Sequence, residues 1–251
     1  MNRRETRGMA TALALLALTA WSRAEAAEIK VLSTVGMQPA TTELIAQFER
    51  ESGHKILVTY GLAAVLKTKF VEGAPADVLI LTGPIVEDLA KQGKVVPGSK
   101  VDVARSGVGI GVKAGAPRPD INTPDALKRA VLAAKSVGFS KEGASGVAFA
   151  KVLERLGIAE QVRAKYKDTG IKAGEMLVSG DIELGAAQVP ELMAVPGVDV
   201  VGPLPAELQT VTVFSVGLAA EAKEADAAQA LIRFLSGPAA APVYQAKGLG
   251  D

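Results

Sequence analysis

The chain has 251 residues, with 28 basic and 27 acidic side chains, no cysteine, one histidine and only 4% aromatic residues. Without cysteine there can be no disulfide, thiol nucleophile or thiolate metal site, and one histidine cannot build a histidine-rich metal centre, so neither metal nor cofactor is expected. A balanced charge lacks the basic excess that nucleic acid or a membrane surface demands, and sparse aromatics argue against stacking platforms for sugars or bases.

Residues 1–26 read as an export signal. Arg3, Arg4 and Arg7 form a basic start, Met9–Ala20 is an uncharged apolar run, and Ala24-Glu25-Ala26 supplies a small-x-small cleavage pattern. That run is too short to span a bilayer, and no later stretch is long enough. The expectation is a periplasmic monomer beginning at Ala27, soluble after cleavage.

The mature chain alternates strands and helices. Ile29–Thr34 is a strand, and Pro39 opens a helix whose inward stripe is Leu44, Ile45 and Phe48. Gly53 and His54 end it, which puts His54 at the amino end of the next strand, a solvated loop position. Strands Ile56–Tyr60 and Asp77–Thr82 are joined through a helical stretch carrying Leu62, Leu66 and Phe70. Strand, helix, strand within thirty residues means a crossover, and therefore a parallel sheet covered on both faces. Such sheets bind ligands at the carboxyl ends of their strands, which makes the turn from Gly61 into Leu62 a candidate site. Gly61 is equally what a tight strand-to-helix turn requires.

Pro84–Gln92 is a short helix. Val101–Lys113 is a long run of alternating glycines and β-branched residues, as expected of a strand passing between two bodies. Thr123-Pro124-Asp125 starts a helix in the usual way, with a hydroxyl cap, proline in the first turn and an acid behind it. Strand Ser136–Ser140 leads through Lys141–Gly146 into a helix bearing Val147, Phe149, Val152, Leu153 and Leu156, a second strand–Gly/Ser turn–helix unit. Helix Ala173–Ser179, strand Ile182–Gln188, strand Val198–Val201, a long return strand Thr210–Ala219 and helices Ala225–Leu235 and Pro238–Lys247 complete the chain. The architecture expected is α/β: lobe 1 from 27–105 and 216–251, lobe 2 from 106–215, linked by two long β crossings.

The stretches Glu28-Ile-Lys-Val, Gly61–Leu66, Gly73-Ala-Pro-Ala-Asp-Val and Ala150–Gly157 resemble periplasmic solute-binding proteins of the molybdate-binding type, in order along the mature chain; Gly73–Val78 is the most specific. The resemblance implies the type II periplasmic-binding-protein fold, with lobes that close on a small anionic solute for delivery to an inner-membrane ABC permease. It also implies a site of serine hydroxyls and backbone N–H groups from four loops. Here those loops fall on Thr34, Val35 and Gly36; on Leu62, Ala63 and Ala64; on Ser145; and on Gly170 and Ile171, while Gln188 stands where the family has a tyrosine. Gly36 and Ala63/Ala64 replace hydroxyl residues, so an organic acid is expected in preference to molybdate. Helix starts at Leu62 and Ala144 favour an anion, with Lys141 and Lys172 as the nearest cations. Thr34, Ser145 and Gln188 have structural readings too: a strand end, a helix cap and a satisfied edge amide.

The alternative function is an exported isomerase of the aconitate isomerase type, which resembles the same family and acts on a polycarboxylate. No base can be named for it; Glu142 and Glu191 are the only acids on predicted cleft loops. A sensor that hands its liganded form to a membrane receptor is a third reading. A Ser-His or Cys-His hydrolase is excluded, since neither pair can be assembled.

Overall fold

A computed structural model describes residues 26–250, so the export signal expected at 1–26, except for Ala26, lies outside the described residues. The elements run β1 (Glu28–Thr34), a 3-10 turn (Val35–Met37), α1 (Gln38–Ser52), β2 (Lys55–Gly61), α2 (Ala63–Val71), β3 (Val78–Thr82), α3 (Gly83–Lys91), β4 (Val101–Lys113), α4 (Pro124–Ala133) and β5 (Val137–Phe139). They continue with α5 (Ala144–Arg155), α6 (Ala159–Arg163), β6 (Tyr166–Asp168), α7 (Ala173–Ser179), β7 (Leu184–Gln188), α8 (Val189–Met193), β8 (Val198–Pro203), β9 (Val211–Leu218), α9 (Ala225–Leu235) and α10 (Ala241–Ala246). Among these helices none is long and apolar enough to cross a membrane.

The strands form one sheet in the order β2-β1-β3-β9-β4-β7-β5-β6, with β8 also paired to β4. The crossover read from Val58–Thr82 is present: β2 and β3 both lie parallel to β1, one on each side. β3 is buried along its whole length, as the unbroken apolar run Val-Leu-Ile-Leu requires of a strand covered on both faces.

β4 spans the two bodies as its glycine-rich, β-branched sequence suggested. Its first half pairs antiparallel with β9, from Val101 opposite Val216 to Gly107 opposite Val211. From Val108 onward it turns to β7 and β8 instead. Gly109 and Gly111 let the side chains of Val189, Leu177 and Leu192 lie directly on the strand, where a Cβ would stand about 3 Å from them.

Each body has its own core. One gathers Ile29, Leu44, Phe48, Val78, Phe214, Leu231 and Tyr244, drawn from both ends of the chain. The other gathers Val108, Leu127, Phe139, Phe149, Leu153 and Leu184 from its middle. The Thr123 cap forms, accepting the Ala126 N–H at 3.2 Å. Lys165 closes the other end of α4 by donating to the carbonyls of Val131, Leu132 and Ala134.

Some details differ from the sequence reading. The segment between Gly157 and Ala173, left without elements, holds α6 and β6, both short. A further short helix, α8, follows β7 directly. Val147 points outward at 43% exposed, so the buried face of α5 runs instead through Ser145, Ala148, Phe149, Val152 and Leu153. His54 is not a free loop residue: its Nδ1 accepts the Ala27 N–H at 3.1 Å and its ring lies 6.0 Å from Phe48. It fastens the start of β1, at the end of the sheet away from the cleft.

Candidate functional site

The carboxyl ends of the strands face one another across the two bodies, and helices start at each of them. α1 with its 3-10 turn follows β1, α2 follows β2, and α3 follows β3; from the other body come α5, α7 and α8. No side chain caps the first turn of any of these helices. Their starts, at Thr34–Val35, Leu62–Ala63, Thr82, Gly143–Ser145, Ala173 and Gln188, line one small cavity of about 20 Å³. The unused N–H groups of six helical starts thus converge there, with the positive ends of their dipoles. The two bodies meet closely: a Cβ on Gly143 would lie 3.4 Å from the Leu62 side chain.

Local packing explains how the α5 start is held. The Ser140 hydroxyl accepts the Gly143 N–H at 2.9 Å, which bends the chain from β5 into the helix. A Cβ on Gly146 would overlap the Ser140 carbonyl oxygen, so glycine alone allows the first turn to sit on the strand end. Asp168 ties two loops together, its Oδ1 accepting the N–H groups of Lys141 and Gly170, both at 3.1 Å.

Of the residues expected from the sequence, Thr34, Val35, Leu62, Ala63, Ser145, Gly170 and Gln188 line the cavity. Gly36 lies just behind it, where a Cβ would meet Phe214 Cζ at 3.0 Å and Glu191 Oε1 at 3.3 Å. Ala64 is exposed on α2 and does not reach the cavity. Ile171 is displaced outward, 48% exposed, into an adjoining groove. Gly170 lines the cavity, but Asp168 already holds its N–H. Ser145 sits in the first turn of α5 and not at the cap, which is Gly143. Gln188 is not a satisfied amide: its Nε2 donates to Thr212 Oγ1 at 2.9 Å, while Oε1 is buried without a partner. Thr169 Oγ1 is likewise buried and unpaired, and its residue faces the cavity.

Lys141 does not reach the cavity, and neither does Glu142; both are exposed. Lys172 lines the outer groove, about 820 Å³, which joins the cavity through Val35, Ala173 and Glu191. The inner cavity therefore attracts negative charge through helix ends and polar groups, without a cation.

The group that the sequence left without a role is Glu191, on α8. It keeps some surface toward the outer groove, yet its carboxyl is packed tightly enough among protein atoms that loss of water alone raises its pKa to about 7. The signal for its placement was Gln188-Val-Pro-Glu: a strand end, a proline in a first helical turn and an acid directly behind it.

Two bodies thus meet at a cleft ringed by helix starts, a place built to receive negative charge. The chain belongs to the bacterial extracellular solute-binding protein family, whose model matches residues 29–250. It is 30% identical over 228 residues to the aconitate isomerase of a Pseudomonas species, covering 88% of this chain and 87% of that one. It is 28% identical over 242 residues to the molybdate-binding protein ModA of Azotobacter vinelandii, covering 90% and 91%. The solved periplasmic molybdate-binding protein of Azotobacter vinelandii superposes with a TM-score of 0.76 at 21% identity, over 88% of this chain and 98% of that one. The fold is thus the two-lobed fold of periplasmic binding proteins, with a molybdate-binding-like ancestry.

Proposed function

We propose that this is an exported, periplasmic solute-binding protein that takes a small organic acid anion into the interlobe cleft and presents it to an ABC importer. In this reading 27–105 with 216–251 moves as one lobe and 106–215 as the other, closing about the two crossings. The observation that carries it is the convergence of uncapped helix starts from both lobes on a cavity that Ser145 and Gln188 also line. Free N–H groups and dipole ends bind negative charge without a cation.

Carboxylate is preferred to a tetrahedral oxyanion for a local reason. Glu191 and Phe214 fill the space that a side chain at Gly36 would need, so an acid replaces a hydroxyl donor at that corner. A tetrahedral oxyanion would lose the hydroxyl donor that the family resemblance implies there, each charge-assisted bond lost weakening binding by about 1.5–3 kcal/mol. The test is calorimetry with succinate, citrate, tricarballylate, molybdate and sulfate. Micromolar or tighter binding of a carboxylate, with molybdate weaker by two decades or more, is the expected result. Submicromolar molybdate binding would overturn the preference.

One observation favours a second reading, an isomerase acting on a polycarboxylate. Glu191 is an acid poised near neutrality inside the cleft, the property needed to take a proton from one carbon and return one to another. Its curated relative is named for such a reaction on aconitate. Proton NMR of trans-aconitate in deuterated buffer separates the two readings. Appearance of the cis isomer with deuterium incorporation, lost in Glu191→Gln, supports the enzyme; unchanged spectra at high protein concentration support binding alone.

A further inference from the structure

Glu191 stands where an anion is to be bound, which by simple charge is the wrong residue. Its side chain faces both the inner cavity and the outer groove, with Oε1 over Gly36 and beside Phe214. Among the described residues no hydrogen bond or ion pair reaches its carboxyl, and burial is the sole influence on its protonation. Next to it the Gln188 amide, 3% exposed, and the Thr169 hydroxyl, 5% exposed, each carry a buried unpaired oxygen toward the same space. Buried polar atoms without partners are rare, and two such oxygens beside a desolvated carboxyl on one cavity imply that something is meant to complete them.

No neighbouring charge resolves the conflict. The 3-10 turn and β7, which pack against α8, carry no titratable side chain. Lys172, just before α7, and Glu175 on α7 lie on the outer groove; Lys247, just after α10, is engaged by Glu43 of α1 at 3.0 Å. The other charged residues of α1, Glu49, Arg50 and Glu51, do not line either space. β8 offers Asp199, held by the Gly115 N–H at 3.1 Å, and β4 offers Asp102, Arg105 and Lys113, none of which enters the cavity.

We propose that the cleft takes up its carboxylate solute together with one proton from solvent, carried on Glu191, whose neutral O–H then donates to the bound anion. This rests on the organic-acid reading above. The physical reason is like-charge proximity: an anion within a few ångströms makes the ionised form of an already desolvated carboxyl still less favourable. Proton and solute arrive together, and each strengthens the other. A carboxyl kept neutral is also a donor, so the corner that lacks a serine hydroxyl regains one.

The sign follows. Below about pH 6 free Glu191 is already protonated and affinity does not depend on its ionisation. Above about pH 8 the free protein must gain a proton on binding, and affinity falls up to tenfold per pH unit. The probe is tricarballylate, which is saturated and cannot undergo an allylic proton shift. Titration calorimetry at pH 7.5, 8.5 and 9.5, in two buffers of different ionisation enthalpy, counts protons directly. Wild type is expected to take up close to one proton and to weaken by nearly tenfold per unit. Glu191→Gln, which keeps the shape and a donor, is expected to take up none and to bind with one affinity across the range, with an unimpaired melt. Tricarballylate binding without proton uptake, or a Glu191→Gln variant that retains the wild-type slope, would overturn the proposal and leave the organic-acid reading standing. Failure of tricarballylate, citrate and succinate to bind even at pH 5.5 would overturn both.

Discussion

Replacing Asp77 with alanine is expected to loosen the lobe built from the two chain ends while leaving the cleft chemistry intact. Asp77 is 4% exposed and sits at the amino end of β3. Its Oδ2 accepts the Lys30 N–H at 2.8 Å, and its Oδ1 accepts the N–H groups of Lys223 at 2.7 Å and Glu224 at 3.3 Å. One carboxylate thereby fastens β1, β3 and the entry to α9, which buries Ala228, Leu231, Ile232 and Leu235. Two of the three bonds are short and charge-assisted, each contributing about 1.5–3 kcal/mol, and the alanine variant leaves their donors without a replacement. Because such effects are not additive, the expected loss is about 3–5 kcal/mol, a large share of a typical domain's stability. Asparagine, which can face one N–H with its oxygen but turns an NH₂ toward the other, should fall between alanine and wild type. The sole tryptophan, Trp21, falls in the expected export signal, so urea unfolding is best followed by far-ultraviolet circular dichroism. A loss below about 1 kcal/mol for Asp77→Ala would refute the reasoning, as would a variant that loses solute binding without losing stability.

Glu191→Gln should also change stability with pH. The folded pKa of about 7 lies above the ordinary 4.5, so the folded state holds the proton more tightly. Stability drawn from this group is therefore complete below about pH 4.5 and lost as pH rises through 7; the variant should match wild type at pH 4 and exceed it by about 3 kcal/mol at pH 8, read from urea midpoints. Ser145→Asp puts a carboxylate on the first turn of α5, facing the cavity, and should weaken tricarballylate binding at least 100-fold by calorimetry. Its melting temperature should stay within a few degrees, since an acid at a helix start stabilises by about 0.3–1 kcal/mol. Gly146→Ala forces the α5 start off the Ser140 carbonyl and should cost about 3–5 kcal/mol; an unchanged unfolding midpoint would show that the contact relaxes freely.

Much of the fold was legible because its signals are local. Glycines alternating with β-branched residues identified β4 over its full length, and Thr123-Pro124-Asp125 identified a helix start whose hydroxyl bond forms as expected. Short elements without a period were not: β6 is three residues, Tyr-Lys-Asp, and α6 and α8 are single turns or little more. The cleft was read from the family resemblance together with a repeated motif, a strand ending in a Gly/Ser turn and then a helix. That is why Leu62, Ala63 and Ser145 were found, whereas Ala64 and Ile171, one position further, point elsewhere. Glu191 could be named but given no role, since its raised pKa comes from burial in a corner shared with Gly36 and Phe214, residues remote in sequence. Asp77 shows the converse case. It lies within the family-like stretch Gly73–Val78, and the structure makes it a fastener at the end of the sheet far from the solute.

The place of β9 in the sheet also has a consequence for how the molecule assembles. β9 lies between β3 and β4, yet it begins only at Val211. Residues 108–208 supply an entire core of their own and can condense while the final segment is still absent. Until β9 arrives, β3 presents one open edge of Val-Leu-Ile-Leu-Thr, a short apolar strand without charge or proline to protect it. Such an edge is a template for pairing with another chain. Placing β9 in the middle of the sheet is a non-local step, expected to be slow. A nascent chain delayed before that step is expected to be the form of this protein most prone to aggregate.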